Sequence, residues 1–404
     1  MDKVQSLLLD LISSVRPVVP DRFVQMSPGD WCELAALARD HRLEPALHYY
    51  RPIHAKAGKF PEELAQEWSQ AFRNSAIRGL QIVRVTNDLK TIFGGISMPF
   101  FALKGAWLTK SVYTHPAIRP MRDLDILVPP ERALSSYELL LRSGFHRLSG
   151  DNTPVEHAMK NHKHLPALVH SQTGILLELH TMLIHSENRK LAPARLTAAN
   201  IFFRMRSTDT PNIEHSIFLD TEINLIHLVV HAFEDHLLDN GPVIILDVRE
   251  VLKESKIDWL YFWSLAESGD WTNACYVIFD FVDRYHGPQP IDWPTVHRQP
   301  TPEDVLDATA QLCVQPFARR AENALKASIA RSEAGGGIFA LLARRLVPAR
   351  HILASEGRMP PQSHWLWTAY PKWLLRRGVH YTLGAYRRRQ EPNLQKTVIT
   401  WITR

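Results

Sequence analysis

The sequence predicts an α+β fold, in which a small mixed β-sheet lies between N-terminal and C-terminal helical regions. Two changes in the hydrophobic pattern support this prediction. Apolar side chains first recur at three-to-four spacing, then form short runs broken by Gly and Pro, and finally return to helical spacing. The predicted units are an N-terminal helical region (1–95), an α/β core (96–190), a helical domain (191–330) and a basic, aromatic-rich helical tail (331–404).

Three helical segments are predicted in the N-terminal region. They read VQSLLLDLISSV, PGDWCELAALARDHRLEPALHYY and PEELAQEWSQAFRNSAIRGLQIVRVTNDLKTIF. Each segment carries apolar residues on one helical face, and Pro17, Pro20 and Pro52 punctuate the region.

The central region alternates strands with helices. Its predicted strands are MPFFALKG, DLDILVPP, FHRL, HLPALVHS and GILLELHTML, and the turn SQTG joins the last two. AWLTKSVYT and ERALSSYELLLRSG are predicted helices, the first begun and the second ended by a glycine. Elements in this order predict a mixed sheet with helices packed on it.

Helical spacing returns after the sheet. DTEINLIHLVVHAFEDHLL is apolar at most positions and is therefore predicted to be a buried helix. The helices predicted after it are VIILDVREVLKES, DWLYFWSLAES, DWTNACYVIFDFVDRYH and EDVLDATAQLCVQPFARRAENALKASIA. SEAGGG is predicted to be a flexible joint before the tail.

The tail is strongly basic. Residues 341–404 contain twelve Lys and Arg but two Glu, a charge of +10 in a chain whose net charge is +5. Tryptophans and tyrosines alternate with the arginines, which suits RNA, because aromatic rings stack on bases while arginines bind phosphates. The same composition suits contact with an anionic lipid surface or an amphipathic closing helix with a solvated basic face. The pattern leaves all three open.

Composition excludes several other classes. No apolar run is long enough for a transmembrane segment and no secretory signal is recognisable, so we expect a cytoplasmic protein. Cys32, Cys275 and Cys313 lie far apart without a CxxC pair, which argues against disulfides or a thiolate zinc site.

Two acidic residues interrupt the apolar strand DLDILV. Side chains at i and i+2 of a strand share a face, so Asp123 and Asp125 lie side by side while Leu124 and Ile126 pack on the other face. Paired carboxylates favour a divalent cation, Mg²⁺ or alternatively Mn²⁺, which binds phosphate oxygens of the substrate as well. An edge strand with a polar face would explain a bare DxD equally simply.

A third acid favours the metal site over the edge strand. Glu178 interrupts another apolar run, ILLELHT, and His180 follows on the same face. We therefore predict that Asp123, Asp125 and Glu178 are catalytic and metal-binding residues.

The LKG sequence upstream predicts a phosphate-binding turn. Gly105 lies where a strand turns into a helix, so that backbone N–H groups can approach a phosphate. Lys104, Arg119 and Arg122 could add positive charge for a triphosphate. Taken singly, a Lys-Gly pair is also typical of a surface turn, and a loop arginine is usually solvated.

These motifs resemble those of the uncharacterised nucleotidyltransferase family of the DNA polymerase β-like superfamily. The resemblance runs from ALKGAWLTKSVYTHPAIRPMRDLDILVPPERALSSYELLLRSGF through KHLPALVHSQTGILLELHTML to INLIHLVVHAF and ILDVREVL, roughly residues 25 to 255. It implies that Gly105 binds the nucleoside triphosphate, that the DxD pair binds metal and that Glu178 completes the triad. The superfamily's usual Gly-Gly or Gly-Ser pair is here Lys104-Gly105 followed by Ala106, so the second glycine or the hydroxyl expected near the phosphates is missing.

Several histidines and one further aspartate are candidate substrate contacts. His164 and His180 are predicted near Glu178, where they could contact substrate or orient a carboxylate. The resemblance implies that His231 and Asp247, on a helix and a segment after the core, line the acceptor side of the cleft. A polar network joining two domains would explain His231 and Asp247 equally well.

The residues and the resemblance together imply a Mg²⁺-dependent nucleotidyltransferase. It would transfer an NMP from an NTP, with ATP as the expected nucleotide, to an acceptor and release pyrophosphate. The acceptor stays open among small molecules, peptides, proteins and tRNA, the last including a toxin-like activity. The alternative is a non-catalytic module of the same fold that binds RNA or a protein through its basic tail.

Overall fold

The structure, a computed structural model, confirms the predicted α+β class. One mixed sheet has helices before and after it in the chain. The described residues are 1–13, 17–184, 193–207, 217–294, 298–317, 353, 363–375 and 393–403. The SEAGGG joint and most of the basic tail lie outside them. Nothing in the structure tests the predicted domain boundaries, which remain a prediction.

Five helices precede the sheet within the described residues. They are α1 (Lys3–Leu11), α2 (Pro20–Val24), α3 (Pro28–Asp40), α4 (Glu44–Tyr50) and α5 (Glu62–Gly94). Reciprocal capping boxes begin α1, through Asp2 and Gln5, and α3, through Ser27 and Asp30.

The segment predicted as one helix, PGDWCELAALARDHRLEPALHYY, is two helices, α3 and α4. Arg42 has a φ of 57°, a left-handed conformation that no α-helix continues through. Pro45 lies in the first turn of α4, where the missing N–H costs no hydrogen bond. The chain therefore turns between α3 and α4.

Helix α5 has 33 residues and contributes to two cores. Trp68, near its start, packs with the other N-terminal helices. Val85, Leu89 and Phe93, near its end, pack with Leu124, Ile126 and other apolar residues of the sheet. One helix thus supports both the N-terminal helical layer and one face of the sheet.

The described strands form a single sheet of order β1-β2-β5-β4-β3. They are β1 (Phe101–Ala102), β2 (Asp123–Leu127), β3 (Phe145–Arg147), β4 (Leu168–His170) and β5 (Leu176–His180). Strands β2 and β5 are parallel and the other pairs are antiparallel. The helices α6 (Lys104–Ser111), α7 (Ala133–Arg142) and α8 (Val155–Asn161) lie between strands in the chain.

The remaining described helices lie C-terminal to the sheet. They are α9 (Ala198–Ser207), α10 (Thr221–Val230), α11 (Val243–Glu254), α12 (Trp259–Ser268), α13 (Thr272–His286), α14 (Glu303–Cys313) and α15 (Leu394–Ile402). Helix α10 is buried from Glu222 to Val230, as its apolar sequence predicts, and continues into a π-helical turn, His231–Asp235. Within the described part of the chain, no helix is both long and apolar enough to span a bilayer.

Candidate active site

A cavity of about 630 Å³ lies between the acidic face of the sheet and the region of α10 and α11. All the predicted site residues except His180 line it. These lining residues are Lys104, Gly105, Arg119, Arg122, Asp123, Asp125, His164, Glu178, His231 and Asp247. Residues more than a hundred positions apart in the chain therefore share one cavity.

Asp125 and Glu178 face each other across the two parallel strands. Asp125 pairs with Glu178 in the register of β2 and β5, so both side chains leave the sheet on the same face. Carboxylate oxygens of Asp125 and Glu178 and a ring nitrogen of His180 lie within 4.8 Å of one another. Asp123 is half-buried on the same face of β2, and Leu124 and Ile126 are buried on the other, as predicted.

Lys104 is the nearest cation to these carboxylates among the described ion pairs. Its Nζ lies 3.1 Å from Oδ2 of Asp125, and both side chains are largely buried. Burial lowers the pKa of Lys104, but the charges of Asp125, Glu178 and Asp123 outweigh it and raise the pKa above its usual value. Lys104 is the first residue of α6 and has a φ of 43°, a left-handed conformation that is uncommon for a non-glycine residue. Its ammonium lies at the acidic cluster.

His180 is buried behind the cavity and binds Asp125. Its Nε2 lies 2.9 Å from Oδ1 of Asp125 and 3.6 Å from Oε2 of Glu178. His164, which lines the cavity, lies 3.8 Å from the same oxygen of Glu178. Because Asp125 accepts a hydrogen bond from His180 and forms an ion pair with Lys104, its orientation is fixed from two sides.

The pKa values of the acidic residues are shifted in different directions. Burial raises the pKa of Asp125, but Lys104 and the His180 hydrogen bond outweigh it and hold the pKa well below its usual range. Burial likewise raises the pKa of Glu178, but His180 and the charge of His164 together outweigh it and lower the pKa below its usual value. Burial and the charges of Asp125 and Glu178 raise the pKa of Asp123. Asp125 and Glu178 are thus held as carboxylates.

Arg119 is held by Asp247 beside Gly105. Its Nε lies 2.8 Å from Oδ1 and its Nη2 3.0 Å from Oδ2 of Asp247, a bidentate pair. The Tyr113 hydroxyl donates to the same aspartate at 2.7 Å. A Cβ on Gly105 would lie 2.6 Å from Nη1 of Arg119, so glycine is needed at this position for the guanidinium to approach α6. Asp247, predicted as a substrate contact, orients a predicted nucleotide-binding residue.

Arg122 lies on the rim of the cavity. Its side chain is exposed, and its carbonyl accepts a hydrogen bond from Arg78 on α5 at 3.0 Å. Rim arginines can attract an anionic substrate without being ordered by it.

Two polar residues that sequence reasoning missed lie near His231. Asp235 accepts from Nδ1 of His231 at 2.6 Å and forms an ion pair with Nζ of Lys163 at 2.6 Å. The spacing of four between His231 and Asp235 indicates a pair on one helical face and could have identified it. Lys163 lies in the segment before β4, and no local pattern indicates its contact with Asp235.

The acidic cluster has the ligands that a hard divalent cation binds. Asp125 and Glu178 supply carboxylate oxygens and Asp123 lies on the same face, which fits Mg²⁺ or Mn²⁺. The ammonium of Lys104 on Asp125 demonstrates that this cluster stabilises positive charge. His180 is better suited to orienting Asp125, because the nitrogen facing that carboxylate donates a proton to it.

Fold and cavity together define an α+β protein whose acidic cluster suits a metal-assisted transfer reaction. The sequence profile of a family described as uncharacterised nucleotidyltransferase matches residues 27–287, well over half of the chain. The protein belongs to this family, which confirms the resemblance predicted from its motifs and supports a nucleotidyltransferase activity. No curated protein and no solved structure matches the chain.

Proposed function

We propose that the protein transfers an NMP from an NTP, with ATP as the first nucleotide to test, to an acceptor and releases pyrophosphate. The observation that carries this proposal is the pairing of Asp125 with Glu178 on adjacent parallel strands, facing a cavity of a nucleotidyltransferase-family protein. A cavity of about 630 Å³ is large enough for a nucleotide. Because the reaction uses an NTP, the cytoplasm expected from the sequence is the proposed compartment.

The acidic residues would bind the metal ion. Asp125, Glu178 and Asp123 would hold Mg²⁺ or Mn²⁺, which neutralises the charge that develops on the phosphates of the NTP. His180 keeps Asp125 aimed at this position through its hydrogen bond. The low pKa of Asp125 keeps it ionised throughout the physiological pH range.

The residues at the start of α6 would bind the triphosphate. No side chain caps α6, so the N–H groups of its first residues can donate to phosphate oxygens. Gly105 has no side chain that would hinder the approach of a phosphate. Arg119, which Asp247 holds beside Gly105, adds a guanidinium in a fixed position. We propose that Lys104 moves from Asp125 to the phosphates when metal and nucleotide bind, because the metal would then neutralise Asp125 and the ammonium would neutralise the phosphates.

One observation favours a second candidate, a binding module that does not use a metal. Lys104 already neutralises Asp125 in the structure, and a protein that had lost the reaction would have no use for a metal at this point. Such a module would bind RNA or a protein through its basic tail, which lies largely outside the described residues.

Thermal shift with each NTP separates the two candidates. We expect ATP with Mg²⁺ or Mn²⁺ to raise the melting temperature of the wild type, and Asp123→Ala and Asp125→Ala to lose this shift. Lys104→Met removes the competing ammonium, so its shift with metal alone should exceed that of the wild type. Stabilisation by RNA, unaffected by the aspartate variants and without any metal effect, would instead favour the binding module.

Transfer itself is measured by incubating the protein with α-labelled NTPs and a cell extract. We expect labelled acceptor from the wild type and none from Asp125→Ala. Glu138 is an exposed carboxylate on α7, so the variant Glu138→Gln is the control and should give as much labelled acceptor as the wild type.

A further inference from the structure

The π-helical turn after α10 places an aspartate–histidine pair on the cavity. The turn runs from His231 to Asp235, and π-helical turns are frequent at functional sites. Nδ1 of His231 and Oδ2 of Asp235 are 2.6 Å apart. Nζ of Lys163 reaches the same oxygen at 2.6 Å, and the Lys163 carbonyl is itself bound by the N–H of Thr181. Asp235 is therefore held from the helical side and from the sheet side.

This arrangement fixes the tautomer of His231. Burial raises the pKa of Asp235, but the His231 hydrogen bond and the Lys163 charge outweigh it and lower the pKa. Asp235 is thus ionised and can only accept hydrogen bonds, so Nδ1 of His231 carries the proton and Nε2 carries the lone pair. His231 lines the cavity, and among the described residues its Nε2 has no hydrogen-bond partner. A free imidazole lone pair on a substrate cavity is what proton abstraction requires.

His231 is neutral at physiological pH. Burial lowers its pKa well below the ordinary value, the charges of Lys104, Lys163 and His236 lower it further, and the hydrogen bond to Asp235 opposes them. The ring centroids of His236 and of His227, one helical turn earlier, lie 4.6 Å and 6.2 Å from that of His231. A neutral imidazole can accept a proton throughout the neutral range.

Glu178 is the other candidate base and is less suitable. It lies beside Asp125 in the acidic cluster proposed to bind the metal, and its Oε2 is 3.6 Å from Nε2 of His180. A carboxylate that binds a metal has fewer free lone pairs with which to take a proton from an acceptor.

We propose that His231 is the general base of the transfer, that Asp235 orients it, and that the acceptor attacks through a hydroxyl group. This inference rests on the proposed nucleotidyl transfer. The acceptor O–H proton passes to Nε2 of His231 while the acceptor oxygen forms a bond to the α-phosphorus. The bond from the α-phosphorus to the bridging oxygen breaks, and pyrophosphate leaves with that electron pair. Asp235 stabilises the imidazolium, which later releases its proton to water.

The need for a base restricts the acceptor class. A hydroxyl group holds its proton at neutral pH and must lose it during attack, whereas a phosphate group is already an anion and needs no base. The product of a hydroxyl acceptor is a phosphodiester. A phosphate acceptor would give a phosphoanhydride, and an amine a phosphoramidate, which is labile in acid.

The test compares His231→Gln, His231→Ala and Asp235→Asn with the wild type, using α-labelled ATP and a cell extract. We expect both His231 variants to transfer label about 10²- to 10⁴-fold more slowly, the usual contribution of a general base. Thermal shift with ATP and Mn²⁺ should stay as in the wild type, because a base is not needed for nucleotide binding. Added imidazole should restore part of the His231→Ala rate, and His146→Gln, an exposed histidine on β3, should have no effect.

The pH profile and the linkage in the product complete the test. The wild-type rate should fall as His231 becomes protonated, below the ordinary imidazole pKa of about 6.5, and His231→Gln should lack this acidic limb. The labelled bond should resist acid and nucleotide pyrophosphatases.

Each contrary result has a distinct meaning. Wild-type rates in both His231 variants, with transfer still lost in Asp125→Ala, would overturn the base assignment alone. A phosphoanhydride or phosphoramidate product would overturn the hydroxyl acceptor. Absence of any transfer by the wild type would overturn the proposed function and the inference with it.

Discussion

The cavity has one wall formed by the sheet and one formed by the helices after it, and the two walls differ in their balance of charge. On the sheet wall, three acidic side chains, Asp123, Asp125 and Glu178, face one ammonium, that of Lys104. On the helical wall, acidic groups are matched by cations, Asp247 by Arg119 and Asp235 by Lys163. The sheet wall therefore keeps an excess of negative charge that suits a metal ion. On the helical wall, each carboxylate is neutralised by a cation, and these ion pairs fix the positions of neighbouring side chains.

The largest expected effect comes from the sheet wall. Asp125→Asn keeps the shape of the side chain but removes the charge opposite Lys104 and one expected metal ligand. We expect NMP transfer to fall about 10³-fold, the scale of losing a preorganised electrostatic group. The rate of label transfer at saturating NTP measures this, and a rate within threefold of the wild type would refute the metal-binding role.

On the helical wall, we expect a substitution to affect the stability of the protein before it affects activity. Asp247→Asn leaves the largely buried guanidinium of Arg119 without its carboxylate, and we expect the free energy of unfolding to fall by about 3 kcal/mol. Urea denaturation measures this change. The control Asp307→Asn removes the exposed partner of Arg284 and should cost less than about 1 kcal/mol. Equal losses in the two variants would contradict the distinction between buried and surface pairs.

A smaller effect is expected where the two walls meet. In Gly105→Ala the new methyl group would lie 2.6 Å from Nη1 of Arg119 and 3.1 Å from Met121, so Arg119 must shift. We expect a loss of about 1 to 2 kcal/mol in stability and a weaker thermal shift with ATP. Gly79→Ala, where a Cβ meets nothing within 4 Å on α5, should stabilise the protein by about 0.5 to 1 kcal/mol. A wild-type ATP shift in Gly105→Ala would show that the position of Arg119 is unimportant for the nucleotide.

The sheet wall could be predicted from sequence because a strand has a period of two. That period places Asp125 beside Asp123, and the isolated acid Glu178 indicates a second strand of the same type. The register that sets Asp125 opposite Glu178 depends on pairing between segments 53 residues apart and is seen only in the structure.

The helical wall could be predicted only in part. His231 and Asp247 were identified through the family resemblance, but the partner of Asp247 is Arg119, 128 residues away in the chain. Lys104, which forms an ion pair with Asp125, has a left-handed φ that propensity does not indicate at a non-glycine residue. Similarly, the break between α3 and α4 depends on one such residue, Arg42.

Helix α5 has a consequence for dissecting the molecule. At 1.5 Å per residue its 33 residues form a rod of about 50 Å, which reaches from the N-terminal helices to the back of the sheet. A fragment that begins at residue 96 would lack Val85, Leu89 and Phe93, which cover Leu124 and Ile126. Leu124 and Ile126 lie on the same strand as Asp123 and Asp125, so loss of the α5 residues that cover them would destabilise the strand that carries the proposed metal ligands. The smallest piece that keeps the sheet intact must therefore start no later than the second half of α5.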